Sequence, residues 1–558
     1  MNREWWKEAV VYQIYPKSFQ DADGDGMGDI RGIIQRLPYL QQLGVTVVWI
    51  CPVYKSPMDD GGYDISDYYS VDPMFGSNED LDELIVQADA LGIKIIMDLV
   101  INHTSDEHEW FQQALKDPNS KYRDYYIFRE GVDGQPPNNW RSYFGNSAWE
   151  KVENEDNMYY LHAFTKKQPD LNWENDEVRE ALYDMVNYWL DKGIGGFRID
   201  AILNIKKRIE TKQFEPDGED GLAFIGHWIL NQPGIEVWLK ELNDRTFKPH
   251  NSMTVAEANV PDERLSEYIG NDGFFSMVFD FSYTDIDVPI TGEWFKFSNW
   301  TLSDLKKHMY RHQLVSQEKG WGALYLENHD QPRSINKYVP EQDIHDYSKK
   351  MLATLFMMMQ GTPFIYQGQE IGMTNTQMDS MDDYDDIATH DQYQRALLAG
   401  LSEDEAFAAT NRRSRDNSRT PMQWDTSKNA GFSTSDKTWM KVNRNYDQIN
   451  VASQQHEASV LHYYKQLIAL RREGKYSETI VYGAFLPAET DREELFVYQR
   501  VLGDRKLLIV INFSNQDRSY PVDREFHNVV LSNYAEIGLN AQHELNLKPY
   551  ASVILSND

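Results

Sequence analysis

Short, almost continuously apolar runs alternate along this chain with segments whose apolar residues recur at helical spacing. The stretches 10–15 (VVYQIY), 45–50 (VTVVWI) and 94–100 (KIIMDLV) are of the first kind. Runs without an in–out alternation suit parallel strands covered on both faces. Further runs at 196–200, 253–257, 275–280, 323–327 and 363–367 bring the predicted strands to eight. Between them lie helical patterns such as 81–88 (LDELIVQA) and 178–186 (VREALYDMV). Eight alternating units predict an α/β chain folded as a closed (β/α)8 TIM barrel.

The spacing of the units is uneven. Strand three ends near Asn102 and strand four begins near Gly195, and a helix over roughly 177–192 fills only the end of that gap. The remainder is rich in Tyr, Trp, Asn, Asp and Pro and is too long for a simple connection. It predicts an inserted, loop-rich domain over the barrel mouth at 104–172. A second insertion, about 373–435, follows strand eight and carries the acidic stretch 378–386. From about Val481 the pattern turns to short alternating strands, such as 494–498 and 506–511, which predict a C-terminal antiparallel β-domain. The expected division is therefore 1–103 and 173–480 for the two parts of the barrel, 104–172 for the inserted domain and 481–558 for the β-domain.

At 558 residues the chain needs more than one small core, and 41% hydrophobic with 26% charged residues describes a folded globular protein. A net charge of −33 argues against nucleic acid and anionic membrane as partners, since both demand a basic face. A neutral substrate is indifferent to it. The single cysteine, Cys51, excludes an intramolecular disulfide, and its place at the end of a buried run predicts packing rather than a nucleophile. The N-terminus runs straight into globular sequence, and the apolar run 355–359 is too short to span a bilayer. The expectation is a cytoplasmic protein, a monomer or weak homo-oligomer.

Three of the strand-like runs close on carboxylates. The run 195–199 ends in Asp200, 252–256 ends in Glu257, and 323–326 leads through Glu327-Asn328-His329 to Asp330. In a parallel barrel, reactive groups sit where strands hand over to loops at the C-terminal face. Cleaving a glycosidic bond needs two carboxyl groups across it, one as acid and one as nucleophile or base. For one such acid alone, strand-end capping is the plainer reading; the ordered set argues against it.

The segments Asp98–His103 (DLVINH), Gln168–Trp173 (QPDLNW), Gly196–Asp200 (GFRID), Thr254–Glu257 (TVAE) and Glu327–Arg333 (ENHDQPR) stand in order along the chain. With 415–425 (RDNSRTPMQWD), they make the whole chain resemble the α-amylase superfamily of glycoside hydrolases, family 13. The resemblance is closest to its oligo-1,6-glucosidase and α-glucosidase branch. It implies a retaining, exo-acting α-glucosidase that releases terminal non-reducing glucose from short oligosaccharides of the isomaltose or maltose type. Asp200 would be the nucleophile, Glu257 the general acid and then base, and Asp330 the grip on the 2- and 3-hydroxyls. Arg198 faces the same side as Asp200 and is expected to lower its pKa, while neighbouring carboxylates raise that of Glu257. By the same resemblance, His103 and His329 bond the first glucose, and Tyr63 is the platform beneath it. Asp60 and Arg415 close the pocket around the 4-hydroxyl, and Asp98 orients Arg198. Phe144, Phe164 and Trp173 are expected to line the outer pocket.

The segment from Asp21 to Asp29 (DADGDGMGD) places Asp21, Asp23, Asp25 and Asp29 at positions 1, 3, 5 and 9 of an EF-hand-like loop. Gly26 takes position 6, and Met27 could offer its carbonyl at position 7. Position 12 is Gly32 rather than the usual Glu, so weak binding of a structural Ca²⁺ is expected. Two competing functions use the same architecture. A sucrose isomerase or trehalose synthase would hold the glucosyl-enzyme away from water, but the arginine-rich loop of the sucrose isomerases is absent from 331–337. A non-enzymatic, transporter-associated relative would carry a membrane anchor and incomplete acids, and neither feature is seen. Ala201, after the nucleophile, leaves more room than the Val that tends to accompany α-1,6 preference, so activity on both linkages is expected.

Overall fold

In the computed structural model, which describes residues 3–218, 220–289, 292–488 and 492–558, the apolar runs become eight parallel strands. They are β1 (Val11–Ile14), β2 (Val47–Ile50), β3 (Lys94–Val100), β4 (Gly196–Asp200), β5 (Met253–Ala256), β6 (Met277–Val278), β7 (Ala323–Leu324) and β8 (Thr362–Tyr366). The hydrogen-bonded ladder runs β6-β5-β4-β3-β2-β1-β8-β7. The strands expected at 275–280 and 323–327 pair over only two residues each. Their seam is closed by side chains: the Phe279 and Tyr325 rings pack 4.8 Å apart and Tyr325 donates to the Asp280 carbonyl at 3.3 Å.

A helix follows each strand: α1 (Ile30–Leu43), α2 (Asn78–Ala90), α3 (Asp176–Asp191), α4 (Ile235–Leu242), α5 (Leu265–Ile269), α6 (Leu302–Lys319), α7 (Asp346–Met357) and α8 (Val460–Arg472). Side chains cap the exposed first N–H groups of several, with reciprocal boxes at Ser77/Asp80 and Thr301/Asp304. Barrel strands this short must pack closely. A Cβ on Gly196 would meet the Met253 carbonyl oxygen at 1.8 Å, so only glycine lets β4 reach β5.

The excursion after β3 forms a three-stranded antiparallel sheet from Phe128–Glu130, Trp149–Lys151 and Met158–Leu161. The loop after β4 joins it. Ala223–Phe224 pairs with Trp140–Arg141, and Ile225 and Ile229 enter the same small core as Trp140, Trp149 and Leu161. The inserted domain therefore draws on a second piece of chain that its expected boundary of 104–172 leaves out.

The C-terminal β-domain holds a five-stranded sheet with Ala484–Pro487, Leu495–Leu502, Arg505–Asn512, Ser552–Ser556 and Asn528–Ser532 in that order. Strand periodicity divides its residues. Leu495, Val497, Leu508 and Val510 fill the domain's own core, while Phe496, Tyr498, Ile509 and Ile511 join the core of the barrel. Among the described residues, no helix is long and apolar enough to cross a membrane.

Candidate active site

Polar residues inside barrel strands mark where the site begins. Gln13, Asp98 and Arg198 lie within β1, β3 and β4 yet are 2%, 0% and 2% exposed. Burial of such groups is tolerated only with partners, and here the partners are one another and the residues at the strand ends. Arg198 donates through Nη1 to Asp98 at 2.6 Å and to Asp200 at 2.8 Å, and through Nη2 to Glu257. Asp98 also accepts from Trp49 Nε1 at 2.9 Å and from Tyr63 at 3.0 Å. One guanidinium thus fixes both carboxyl groups that end β4 and follow β5.

These groups face a cavity of about 360 Å³ at the C-terminal end of the barrel. Asp200 and Glu257 both line the cavity, and the two nitrogens Nη1 and Nη2 of the single Arg198 guanidinium hold one carboxyl group each. Burial raises the Asp200 carboxyl to about 6 in spite of Arg198. Arg198 does lower it, as expected, but desolvation of a largely enclosed carboxylate outweighs one shared cation, so the net shift is upward. Burial, then the charges of Asp200 and Asp330, raise Glu257 to about 8 against the pull of Arg198. Asp330 goes the other way: despite burial, His329, Arg415 and Arg419 hold it well below the usual carboxylate range. Burial keeps His329 neutral down to about 3, so the two arginines carry that effect at neutral pH.

One end of the cavity is shut by charge pairs. Arg415 bonds Asp60 at 3.1 Å and Asp330 at 3.1 Å, and Arg419 bonds Asp330 at 3.0 Å. Asp386, buried in the acidic stretch, pairs with Arg415 and accepts the N–H groups of Ala388 and Thr389 that open helix Ile387–Leu398. Sequence reasoning missed Asp386, because other acids crowd the stretch between 378 and 386. It also missed Arg419, although the i, i+4 spacing from Arg415 would set both on one side of a turn. Phe144 and Phe164 line the cavity, and the Arg415 guanidinium lies 5.4 Å from the Phe144 ring centre.

Two expected sugar contacts are placed differently. Trp173 is 1% exposed, donates to the Ile101 carbonyl at 2.8 Å and packs beside Trp238, so it belongs to the core and not to the outer pocket. His329 is fully buried behind Tyr63, with their rings stacked at 5.4 Å. Its Nδ1 accepts from Gln13 at 2.8 Å, and its Nε2 meets Tyr63 Oη at 2.7 Å and Asp330 at 3.1 Å. Both nitrogens are therefore engaged by protein. His103 lines the cavity, with Nε2 within 3.0 Å of the Tyr63 carbonyl and 3.2 Å of Gln168. Cys51 is buried and accepts from Gln13, in keeping with a packing role.

The wall away from Asp60 was not foreseen at all. Phe281, Asp285, Val288, Trp294, Gln331 and Arg413 form it. Ala201 lines the cavity directly after Asp200, in a left-handed conformation (φ 43°).

The acidic loop lies apart from this site. Ligand oxygens of Asp21, Asp23 and Asp29 come within 4.8 Å of one another, a charge arrangement that suits a divalent, oxygen-preferring cation. Asp25 instead accepts the Met27 N–H at 2.7 Å and is exposed, and it does not join the cluster. Gly26 has φ 99°, and a Cβ there would strike the Lys437 carbonyl at 2.1 Å, which explains glycine at the turn.

Comparison with known proteins gives the family of the chain. The family described as "Alpha amylase, catalytic domain" matches residues 13–483, and the "Alpha-amylase SusG C-terminal domain" matches 495–554. An oligo-1,6-glucosidase of Parageobacillus thermoglucosidasius is 45% identical over 99% of this chain and 98% of its own length. A glucan 1,6-alpha-glucosidase of Streptococcus dysgalactiae subsp. equisimilis is 42% identical over 96% of each chain. Among solved structures, the isomaltulose synthase of Klebsiella sp. LX3 superposes with a TM-score of 0.93 at 37% identity, covering 100% of both chains. The trehalose-6-phosphate hydrolase of Bacillus licheniformis gives 0.90 at 39% identity, covering 99% of this chain and 100% of its own.

Proposed function

We propose, from the premise that this chain belongs to the α-amylase family and is a glycoside hydrolase, that it is a retaining exo-α-glucosidase of the oligo-1,6-glucosidase type. It removes terminal glucose from short isomaltose-like and maltose-like oligosaccharides. The observation that carries the reading is the pair Asp200 and Glu257, joined through Arg198, with carboxyl groups at about 6 and about 8. Between those values Asp200 is ionised and Glu257 protonated, which are the states a nucleophile and a general acid require. Carboxyl groups held on neighbouring nitrogens of one guanidinium favour double displacement, since inversion needs them about 6.5–9.5 Å apart for an intervening water. Closure of the cavity by Asp60 and Arg415 suits a chain end rather than a chain interior. An NMR time course on isomaltose and maltose tests this: α-glucose is expected first, and β-glucose first would overturn retention.

The isomerase reading draws support from the isomaltulose synthases among the structural relatives. Against it, Arg333 in the loop after Asp330 is fully buried, pairing with Glu327 at 3.0 Å and the Gln367 carbonyl at 2.7 Å, so it offers no cation to the cavity. Sucrose should give free glucose and fructose, and accumulation of an isomer would reverse the choice. In the acidic loop, Asp21, Asp23 and Asp29 would hold a Ca²⁺ whose part is to tie the loop to α1, not to enter the chemistry.

A further inference from the structure

We infer that Asp285 binds a hydroxyl of the leaving sugar and thereby sets which aglycones this enzyme accepts; this rests on the glucosidase reading above. The strands fix the direction. Asp60, Tyr63 and His103 come from the β2 and β3 side of the mouth, whereas Asp285 follows β6, whose neighbour β5 leads into the acid Glu257. The group beyond the acid is the one whose oxygen the acid protonates, so the β6 loop faces the departing sugar.

Asp285 is built to present one oxygen. Its Oδ1 accepts from Gln331 Nε2 at 2.7 Å and from Arg413 Nη2 at 2.8 Å. Gln331 is held in turn by the half-buried Lys337, which donates to Gln331 Oε1 and to the Thr284 carbonyl. The Asp285 backbone N–H is bound to the Phe281 carbonyl at 2.8 Å. Among the described residues no donor engages Oδ2, and the side chain is 42% exposed at the cavity wall, whereas its partner Arg413 is 5% exposed. A carboxylate fixed by two donors, with its second oxygen open, is a preorganised acceptor for an O–H group. Phe281, Val288 and Trp294 beside it offer the apolar surface that a pyranose face covers. Gln331, Arg413 and Lys337 are positioning residues that act through it.

The test compares Asp285→Asn with the parent on isomaltose and on p-nitrophenyl α-glucoside, whose leaving group has no hydroxyl of its own to offer. Asparagine keeps an oxygen for Gln331 and Arg413 but turns the open acceptor into an N–H donor. The expected result is a tenfold or greater fall in kcat/KM on isomaltose, with the aryl glucoside within twofold. Equal losses on both substrates would overturn the assignment in favour of a structural role. Retained isomaltose activity would overturn it outright. Should the variant not fold, the unaltered enzyme answers the question. Isomaltose analogues lacking one hydroxyl at a time on the reducing-end sugar should include one that loses tenfold, and uniform rates would refute the proposal. If the parent hydrolyses no α-glucoside at all, the functional reading fails and not this refinement of it.

Discussion

Arg198 is one cation shared among Asp98, Asp200 and Glu257, and that ratio governs the chemistry of the site. Three neighbouring acids cannot all ionise beside it, so the carboxyl values separate, and Glu257 and Asp200 span neutral pH at about 8 and about 6. A bell-shaped kcat/KM profile is expected, with limbs near those two values, which belong to the interacting pair. Asp200→Ala should lose more than about a thousandfold in turnover while the fold persists; activity within tenfold of the parent would move the nucleophile elsewhere. Glu257→Gln should lose more on isomaltose than on an activated aryl glucoside. It also carries a stability signature. A carboxyl raised from 4.5 to about 8 contributes stability that is full below 4.5 and lost as pH rises through about 8. The glutamine variant escapes that loss, so its Tm relative to the parent should climb between pH 5 and pH 9. Ala201→Val should shift the maltose-to-isomaltose ratio of kcat/KM toward isomaltose, by up to about 10–200-fold for a methylene-scale change. At φ 43° a β-branched residue is also strained, so a lower Tm should accompany it, whereas Ala201→Gly should not lower it. An unchanged ratio would place linkage selection in the inserted domain.

At the scale of elements, helix Ile387–Leu398 and the acidic loop each act as anchors. Asp386 both caps that helix and holds Arg415, two duties on one buried carboxylate. Asp386→Asn keeps a competent cap but removes the charge, at a cost of about 1.5–3 kcal/mol for a charge-assisted bond. A higher KM on disaccharides and a lower Tm are expected together; a fall in Tm alone would make Asp386 a cap and nothing more. In the acidic loop, Asp29 is also the N-cap of α1, accepting from Gly32 at 2.6 Å. A cation held there would stabilise the folded state by mass action. Added Ca²⁺ should raise Tm and leave kcat unmoved, and a calorimetric titration without a binding signal would remove the metal from the account.

For the whole molecule, the C-terminal sheet is a wall of the barrel as well as a domain. Its barrel-facing residues include Phe496, Tyr498 and Ile511, and the buried Arg500 donates to the carbonyls of Met358 at 2.8 Å and of Gly483. Truncation before Ala484 would expose that apolar face and leave the carbonyl of Met358 without its donor. The shortened protein should be insoluble or inactive; a soluble, fully active barrel would show the two cores to be independent.

Much of this was legible in the chain itself. Continuous apolar runs report strands buried on both faces, and carboxylates at their ends report the reactive rim, because local spacing dictates both. So Asp200, Glu257 and Asp330 could be located before any contact was known, as could the acidic loop. Tertiary structure alone decided the rest. Arg419 and Asp330 are 89 positions apart, and no periodicity links them. Whether Trp173 lines a pocket or fills a core, and whether His329 faces a sugar or a tyrosine, depends on which surfaces enclose them. The rise of Asp200 depends on the same thing: a neighbouring arginine can be read from sequence, but desolvation is set by everything packed around the group. The segment 223–224 entered the inserted domain because Ile225 and Ile229 found apolar surface there, which its own sequence does not announce.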